Sequence, residues 1–159
     1  MDVGEVSTTA DEAVYEAHAA EVTRFACTLV GPDDAADVAT EAFLRVTASK
    51  VWAEARDPRA LWFRAVVYES GSWSRAAHRR RAREVRAAAA TRAEAAPADG
   101  DPEVAAALDL LPLQQRAVVV LTYWLDLDPA SVAQVLGVSD GTVRKQLARA
   151  RARLKEALS

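Results

Sequence analysis

The chain has 159 residues, enough for one domain of ordinary size or two small ones. Alanine supplies much of the 51% hydrophobic content and aromatic residues make up only 6%, so small cores are expected. Six Gly and six Pro, without sustained alternation of apolar and polar residues, exclude a fold of many strands. The composition therefore predicts an all-α protein.

The sequence also predicts where in the cell the protein lies and whether it binds a cofactor. No run of eighteen apolar residues occurs, and the N-terminus MDVGEVSTTADEA is acidic where a signal peptide would be basic and then apolar. We therefore expect a cytoplasmic protein without membrane insertion. The single Cys27 is interpreted as a small core residue, and His18 and His78 lack neighbours at metal-ligand spacing, so no metal or other cofactor is predicted.

The net charge of −3 conceals an uneven distribution along the chain. Residues 1–58 carry 12 acidic against 4 basic residues, net −8, whereas 72–92 carry 7 basic against 1 acidic and 139–159 carry 6 against 2. Two basic segments of +6 and +4 in an acidic chain favour binding to nucleic acid. The acidic segment is expected to mask this binding in the free protein.

Helical periodicity organises the first half of the chain. Residues 1–10 lack it and are predicted to be disordered, whereas 11–30 and 34–51 are predicted helices. A third helix opens at Pro58, after the capping residue Asp57. Its pattern weakens around 69–72, where we expect a kink or a break.

A low-complexity stretch then divides the chain. Its alanines can extend the third helix, but Pro97-Ala98-Asp99-Gly100 cannot continue it. We predict a first domain over 11–86, a flexible linker over 87–100 and a second domain over 101–159.

The second domain is predicted to contain four helices. Helices over 102–110 and 113–126 come first, the latter burying Tyr123 or Trp124. Residues 129–159 then form a helix, a three-residue turn and a longer basic helix.

That last segment has the spacing of a helix-turn-helix. Ala133 provides a small residue where the helices touch, Gly137 can adopt the left-handed conformation of the turn, and Ser139 can cap the second helix. Val143 anchors the second helix, and Leu147, Ala150 and Leu154 continue its apolar stripe. The basic side chains must mostly fall on the outer face, where they could meet phosphates and base edges.

An enzyme is disfavoured because the sequence has no Gly-rich phosphate loop, no Cys/His cluster and no Ser-His-Asp candidates. A response-regulator output domain would share the helix-turn-helix. However, the upstream half lacks the alternating strands and helices of a receiver.

Three segments resemble the extracytoplasmic-function sigma factors of the sigma-70 family, especially their compact actinobacterial kind. The C-terminal LDLLPLQQRAVVVLTYWLDLDPASVAQVLGVSDGTVRKQLARARARLKEAL is similar to sigma domain 4 throughout. The acidic helix DDAADVATEAFLRV resembles the polymerase-binding helix of sigma domain 2, and DPRALWFRAVVYESGSWSRAAHRRRAR resembles the helix that reads and melts the promoter −10 element.

The resemblance implies two small helical domains, a domain 2 bundle of three or four helices and a helix-turn-helix domain 4. It also implies a non-enzymatic protein that binds RNA polymerase core, through its β and β′ subunits, and directs promoter-specific transcription initiation. Promoter DNA is the second partner, and many such proteins are also held by an anti-sigma factor. The alternative is a degenerate sigma-like DNA-binding regulator that does not itself open promoters.

Residue roles follow from the same resemblance. The recognition helix would contact the −35 element with Thr142, Arg144, Lys145, Arg149 and Arg151. The −10 region would be contacted by Trp73, Arg75, Arg79, Arg80, Arg81 and Arg83. The polymerase would be contacted by Asp37, Glu41, Phe43 and Leu44, although Phe43 also fits a place in the core.

The sequence departs from the family pattern at three of these places. Thr40 stands where Gln usually precedes the Glu, Glu69 replaces an expected Asn, and Ser74 replaces the second Trp. Since a carboxylate beside DNA is repulsive unless it is paired, Glu69 predicts promoter opening that is weak, altered in specificity or dependent on a partner.

Overall fold

A computed structural model describes residues 3–84 and 101–159, with side chains from Thr8 onward except at positions 78 and 81–84. These residues form helices joined by short connections and contain no strand, which confirms the all-α prediction. The predicted linker over 87–100 lies outside the described residues. The helices are α1 Val3–Val30, α2 Ala35–Thr47, α3 Lys50–Ala53, α4 Pro58–Glu84, α5 Pro102–Asp109, α6 Leu113–Tyr123, α7 Pro129–Leu136 and α8 Asp140–Ala157.

The first helix starts earlier than predicted. It begins at Val3, so the expectation of disorder over 1–10 is wrong for residues 3–10. The carboxylate of Asp11 accepts a hydrogen bond from the indole N–H of Trp52 at 2.7 Å, which fixes α1 against α3. Once a helix is anchored, each further residue adds a hydrogen bond without a new nucleation cost, so α1 extends toward the N-terminus.

The expected kink near 69–72 is absent. Helix α4 is continuous from Pro58 to Glu84, and Gly71 has no positive φ. Glu69 and Ser70 are buried at 5% and 0% exposure, so the polar residues that weaken the sequence pattern point into the protein. Buried polar side chains therefore interrupt the apolar pattern of the sequence here, while the backbone of α4 stays helical.

Helices α1, α2 and α4 form the N-terminal bundle, with α3 packed on α2. Trp62 is fully buried at its centre, and its indole N–H donates to the carbonyl of Ala39 at 2.9 Å. Its ring lies 4.7 Å from that of Phe43 and 5.4 Å from that of Tyr15, measured between centroids. Tyr15, Phe43, Trp52 and Trp62 thus form one aromatic cluster in this bundle.

The C-terminal helices pack around aliphatic side chains, with Val118, Leu121, Val132 and Val143 almost fully buried. The prediction that Tyr123 or Trp124 is buried is wrong: they are 51% and 58% exposed. Tyr123 is the last residue of α6, and Trp124 follows it directly.

The two groups of helices touch each other. Helix α4 packs against α6 and α7, and α1 packs against α5 and α6, so apolar residues of both halves belong to one continuous core. The division into domains over 11–86 and 101–159 remains a prediction. None of the described helices is both long and apolar enough to cross a membrane.

Candidate nucleic-acid interface

The helix-turn-helix is built from local capping interactions. Asp128 caps α7 by accepting from the backbone N–H of Ser131 at 2.7 Å, and this bond is the main reason that the pKa of Asp128 is lowered. Gly137 ends α7 in the left-handed conformation, φ 67°. Ser139 then caps α8 by accepting from the N–H of Thr142 at 3.1 Å. The predicted turn glycine and cap are both confirmed.

Helix α8 separates its apolar and basic residues. Val143, Leu147 and Ala150 are buried against the other helices, as the apolar stripe predicts. Arg144, Lys145 and Arg149 are exposed. Thr142 is half-buried, and its hydroxyl lies 2.9 Å from the hydroxyl of Ser139.

Arg151, another predicted DNA-binding residue of α8, has a partner on a different helix. Its Nε–H donates to the hydroxyl of Tyr123 at 2.7 Å, and its guanidinium carbon lies 5.7 Å from the centre of that ring. The exposed Tyr123 thereby holds α8 against the end of α6. No sequence pattern marks this pair, since the two residues are 28 positions apart in the chain.

The described part of the basic segment 72–92 lies at the C-terminal end of α4. Arg75, Arg79 and Arg80 are exposed, and the side chains of Arg81 and Arg83 are outside the described set. Trp73 is half-buried and packs against the core. Its indole N–H is buried without a hydrogen-bond partner among the described residues, so stacking on a base would require this side chain to turn outward.

The predicted polymerase-binding residues fall into two environments. Asp37, Glu41 and Leu44 are exposed and lie four and three residues apart, so they share one face of α2. Leu44 is 58% exposed, which is unusual for a leucine in a helix packed on a bundle. Phe43 is half-buried, with Tyr15 and Trp52 edge-on to its ring at 5.1 and 5.8 Å.

Glu69 has a cation partner that the sequence did not reveal. Its carboxylate lies 3.0 Å from Nη1 of Arg45, whose Nε donates to Glu41 at 3.3 Å. The pairing of Arg45 with Glu41 is readable from their spacing of four, whereas the pairing with Glu69 depends on how α2 packs on α4. In this conformation the Glu69 carboxylate is buried and paired rather than presented to DNA.

The described residues thus include a basic helix-turn-helix, a basic C-terminal end of α4, and an acidic and apolar stripe on α2. Within the described part of the chain, no group of three or more His, Cys, Asp or Glu side chains could hold a metal ion. An α-helix fits into the major groove of DNA, where exposed arginine and lysine side chains can bind phosphates and base edges.

Comparison with known protein families assigns the second half. The family described as Sigma-70, region 4, matches residues 102–154. Residues 102–154, about a third of the chain, are thus similar to a sigma-70 region 4 domain. This domain comprises α5 to α7 and most of α8, including the whole helix-turn-helix.

Curated relatives align over the region 4 domain. The chain is 46% identical over 52 residues to the RNA polymerase sigma-E factor of Streptomyces antibioticus, a match that covers 33% of this chain and 29% of the relative. It is 48% identical over 52 residues to the ECF RNA polymerase sigma factor SigM of Mycobacterium tuberculosis, covering 33% and 26%. The match thus spans less than a third of either relative, and the resemblance to extracytoplasmic-function sigma factors is confirmed there.

Solved structures extend the similarity of fold beyond the region 4 domain. The sigma factor RpoE of Bartonella quintana, in complex with the anti-sigma factor NepR, superimposes with a TM-score of 0.64 at 23% identity, covering 92% of this chain and 95% of RpoE. CnrH, in complex with the cytosolic domain of CnrY, superimposes with a TM-score of 0.66 at 24% identity, covering 95% and 88%. The chain therefore shares its fold with these proteins over nearly its whole length.

Proposed function

We propose that this protein is a sigma factor that binds RNA polymerase core and directs promoter-specific transcription initiation. The observation that carries this proposal is a fully capped helix-turn-helix, with Arg144, Lys145 and Arg149 exposed, inside a region 4 domain. The sigma-factor fold of the remaining helices supports it. The chain would contribute no catalysis, since the polymerase performs the chemistry in the cytoplasm.

Region 4 would read the −35 element. The N-terminal part of a recognition helix reaches base edges most readily, which assigns Thr142, Arg144 and Lys145 to base contacts and Arg149 to the backbone. Arg151, held by Tyr123, would contact DNA only at the edge of the interface.

The N-terminal bundle would contact the −10 region and the polymerase. Arg75, Arg79 and Arg80 at the exposed end of α4 would follow the phosphates, with Arg81 and Arg83 continuing the basic run and Trp73 as the stacking residue. On α2, Asp37, Glu41 and Leu44 would contact the polymerase core, with Phe43 supporting them from the aromatic cluster. An anti-sigma factor is the partner of RpoE in its structure, so an anti-sigma factor is a third candidate partner here.

The test is transcription in vitro with purified core polymerase and fragmented genomic DNA of the source organism. The expected result is a set of discrete transcript starts that appear only with the protein and share a two-part upstream sequence. The double variant Arg144→Ala/Lys145→Ala should lose these starts by a factor of ten or more, because each good base contact is worth about 1–3 kcal/mol. Lys155→Ala, on the last turn of the same helix, is the matched control and should retain them.

A sigma-like regulator that does not open promoters is the second candidate. The half-buried position of Trp73 favours it, because melting needs an aromatic side chain free to engage an unpaired base. Binding to core polymerase and to duplex DNA without any new transcript starts would select this candidate.

A further inference from the structure

A tyrosine at the end of α6 lies beside the basic face of α8. The hydroxyl oxygen of Tyr123 accepts a hydrogen bond from Nε of Arg151 at 2.7 Å, and the guanidinium carbon lies 5.7 Å from the centre of the ring. An aromatic ring attracts a cation that lies within about 6 Å of its centre. Two contacts of different kinds therefore hold one guanidinium in place, although both side chains are exposed to solvent.

This pair has hydrogen-bond donors that remain free. A phenol hydroxyl can donate one hydrogen bond while it accepts others, and the bond from Arg151 uses only its capacity to accept. Among the described residues, neither the hydroxyl proton of Tyr123 nor the Nη groups of Arg151 have an acceptor. Because the Nε–H bond keeps these donors next to each other, they can bind the same anion. The planar guanidinium fork matches the geometry of a phosphate.

The position of Arg151 on α8 places the pair on the side that would face DNA. Arg151 follows Arg144 by seven residues, which is about 20° short of two full turns, so the two exposed side chains lie on one face of the helix. A recognition helix reaches base edges with its N-terminal residues, and Arg144 is among them here. Arg151 lies about 10 Å further along the same face, where the helix would meet the sugar–phosphate backbone.

We propose that Tyr123 and Arg151 form one phosphate-binding site, in which Tyr123 donates its hydroxyl hydrogen to a backbone phosphate and positions the guanidinium against the same group. The inference rests on the proposed function, since the phosphate belongs to the DNA that α8 reads. Helix α6 thereby supplies a DNA contact from outside the helix-turn-helix. Because phosphates carry no base identity, the site fixes the orientation of α8 on the duplex and leaves the choice of sequence to other residues.

The variant Tyr123→Phe tests the hydroxyl because it keeps the ring. The loss of one hydrogen bond to a charged group should weaken binding of the full-length chain to a short mixed-sequence duplex by roughly tenfold. Arg151→Lys keeps the positive charge but lacks the fork that reaches the phenol and a phosphate together, so it should weaken binding by a similar factor. Since both variants damage one site, their losses should overlap. The double variant should bind roughly tenfold more weakly than wild type, whereas independent sites would give about a hundredfold.

The measurement is fluorescence anisotropy of the labelled duplex at low salt, with circular dichroism to show that each variant keeps its helices. Tyr68→Phe is the matched control, since Tyr68 is 70% exposed on α4 and loses the same hydroxyl from a different helix. It should bind as wild type does. A purely structural role for Tyr123 would lower the melting temperature of Tyr123→Phe and leave the affinity of the folded variant unchanged.

The outcomes separate this inference from the proposed function. Weaker binding by Tyr123→Phe and by Arg151→Lys, with overlapping losses in the double variant, supports the shared phosphate site. If Tyr123→Phe binds as tightly as wild type, or if the two losses multiply, the inference is overturned and the DNA-binding function stands. A wild type that binds no duplex at low salt also overturns the inference, and the transcript starts then decide separately whether the proposed function falls.

Discussion

At the scale of single residues, Glu69 shows how a departure from a family pattern can be accommodated. Its carboxylate is 5% exposed and pairs with Arg45, so its charge is neutralised within the bundle. A buried carboxylate that loses its cation is destabilising because it is also cut off from water. Glu69 therefore links α2 to α4, in addition to any influence on promoter opening.

We expect Arg45→Met to destabilise the protein by about 1–3 kcal/mol, because it leaves the buried Glu69 without its charged partner. The measurement is urea denaturation followed by circular dichroism. Glu41→Gln breaks only the exposed part of the same network, with a side chain 48% exposed, and should cost less than about 0.5 kcal/mol. Equal costs for the two variants would contradict a structural role for the Glu69 pair.

A second ion pair predicts a dependence on pH. Hydrogen bonding from Arg59 is the main cause that lowers the pKa of Glu21 from its ordinary value of 4.5, with burial opposing it. A lowered pKa means that the pair stabilises the fold above the ordinary value and that this contribution disappears as the pH falls through the lowered value. The Glu21 carboxylate joins α1 to α4, so the bundle should loosen in acid.

Glu21→Gln should therefore be less stable than wild type at pH 7, by about 1 kcal/mol, and the difference should shrink as the pH falls below 4.5. Thermal unfolding across this pH range measures it. Glu12→Gln, which removes an exposed carboxylate from the same helix, is the control. A difference that persists undiminished in acid would show that the glutamine harms packing instead.

At the scale of elements, replacing a glycine by alanine is expected to have opposite effects on stability at two positions. Gly71 lies within α4, and Gly137 lies in the turn of the helix-turn-helix. Gly71 lies inside the continuous α4, where an added Cβ would meet its nearest atoms at 3.5 Å, an ordinary contact distance. Gly71→Ala should stabilise the protein by about 0.5–1 kcal/mol through higher helix propensity. Gly137→Ala should destabilise it, since φ is 67° and Arg64 lies against the site.

Chemical denaturation of both variants tests these expectations. A loss of stability in Gly71→Ala would indicate that α4 bends at this residue after all.

The helix boundaries that could be predicted from the sequence are those set by a residue next to the boundary. Asp57, Asp101, Asp128 and Ser139 each cap the helix predicted to follow them, because a capping residue acts within a few positions. The burial of Glu69 within α4 could not be predicted, since its partner Arg45 comes from another helix. The exposure of Tyr123 could not be predicted either, because it depends on how α8 packs on α6.

At the scale of the whole molecule, the charge distribution predicts steep salt dependence of DNA binding. Each phosphate neutralised contributes about −0.9 to the slope of log affinity against log salt. With Arg144, Lys145 and Arg149 all exposed, a slope near −3 or steeper is expected. Arg149→Ala should make the slope shallower by about one, and an unchanged slope would exclude Arg149 from phosphate contact.

The sequence also indicated two halves but not their mutual contacts. The fold class, the helix-turn-helix and its basic face follow from periodicity, caps and charge, which are local or compositional signals. The contacts of Arg116 with Thr28 and Leu29 join residues 87 and 88 positions apart, and no pattern in the chain marks such a pairing. The candidate DNA-binding residues were thus easier to predict than the contacts between the two halves.

The same separation sets an order of events during synthesis. The ribosome completes α1 long before it adds Arg116, so the carbonyls at the end of α1 are hydrated while the N-terminal bundle first folds. Their exchange of water for the guanidinium is among the later steps of maturation. A nascent chain stalled before residue 116 would carry an N-terminal bundle whose first helix frays at its C-terminal end.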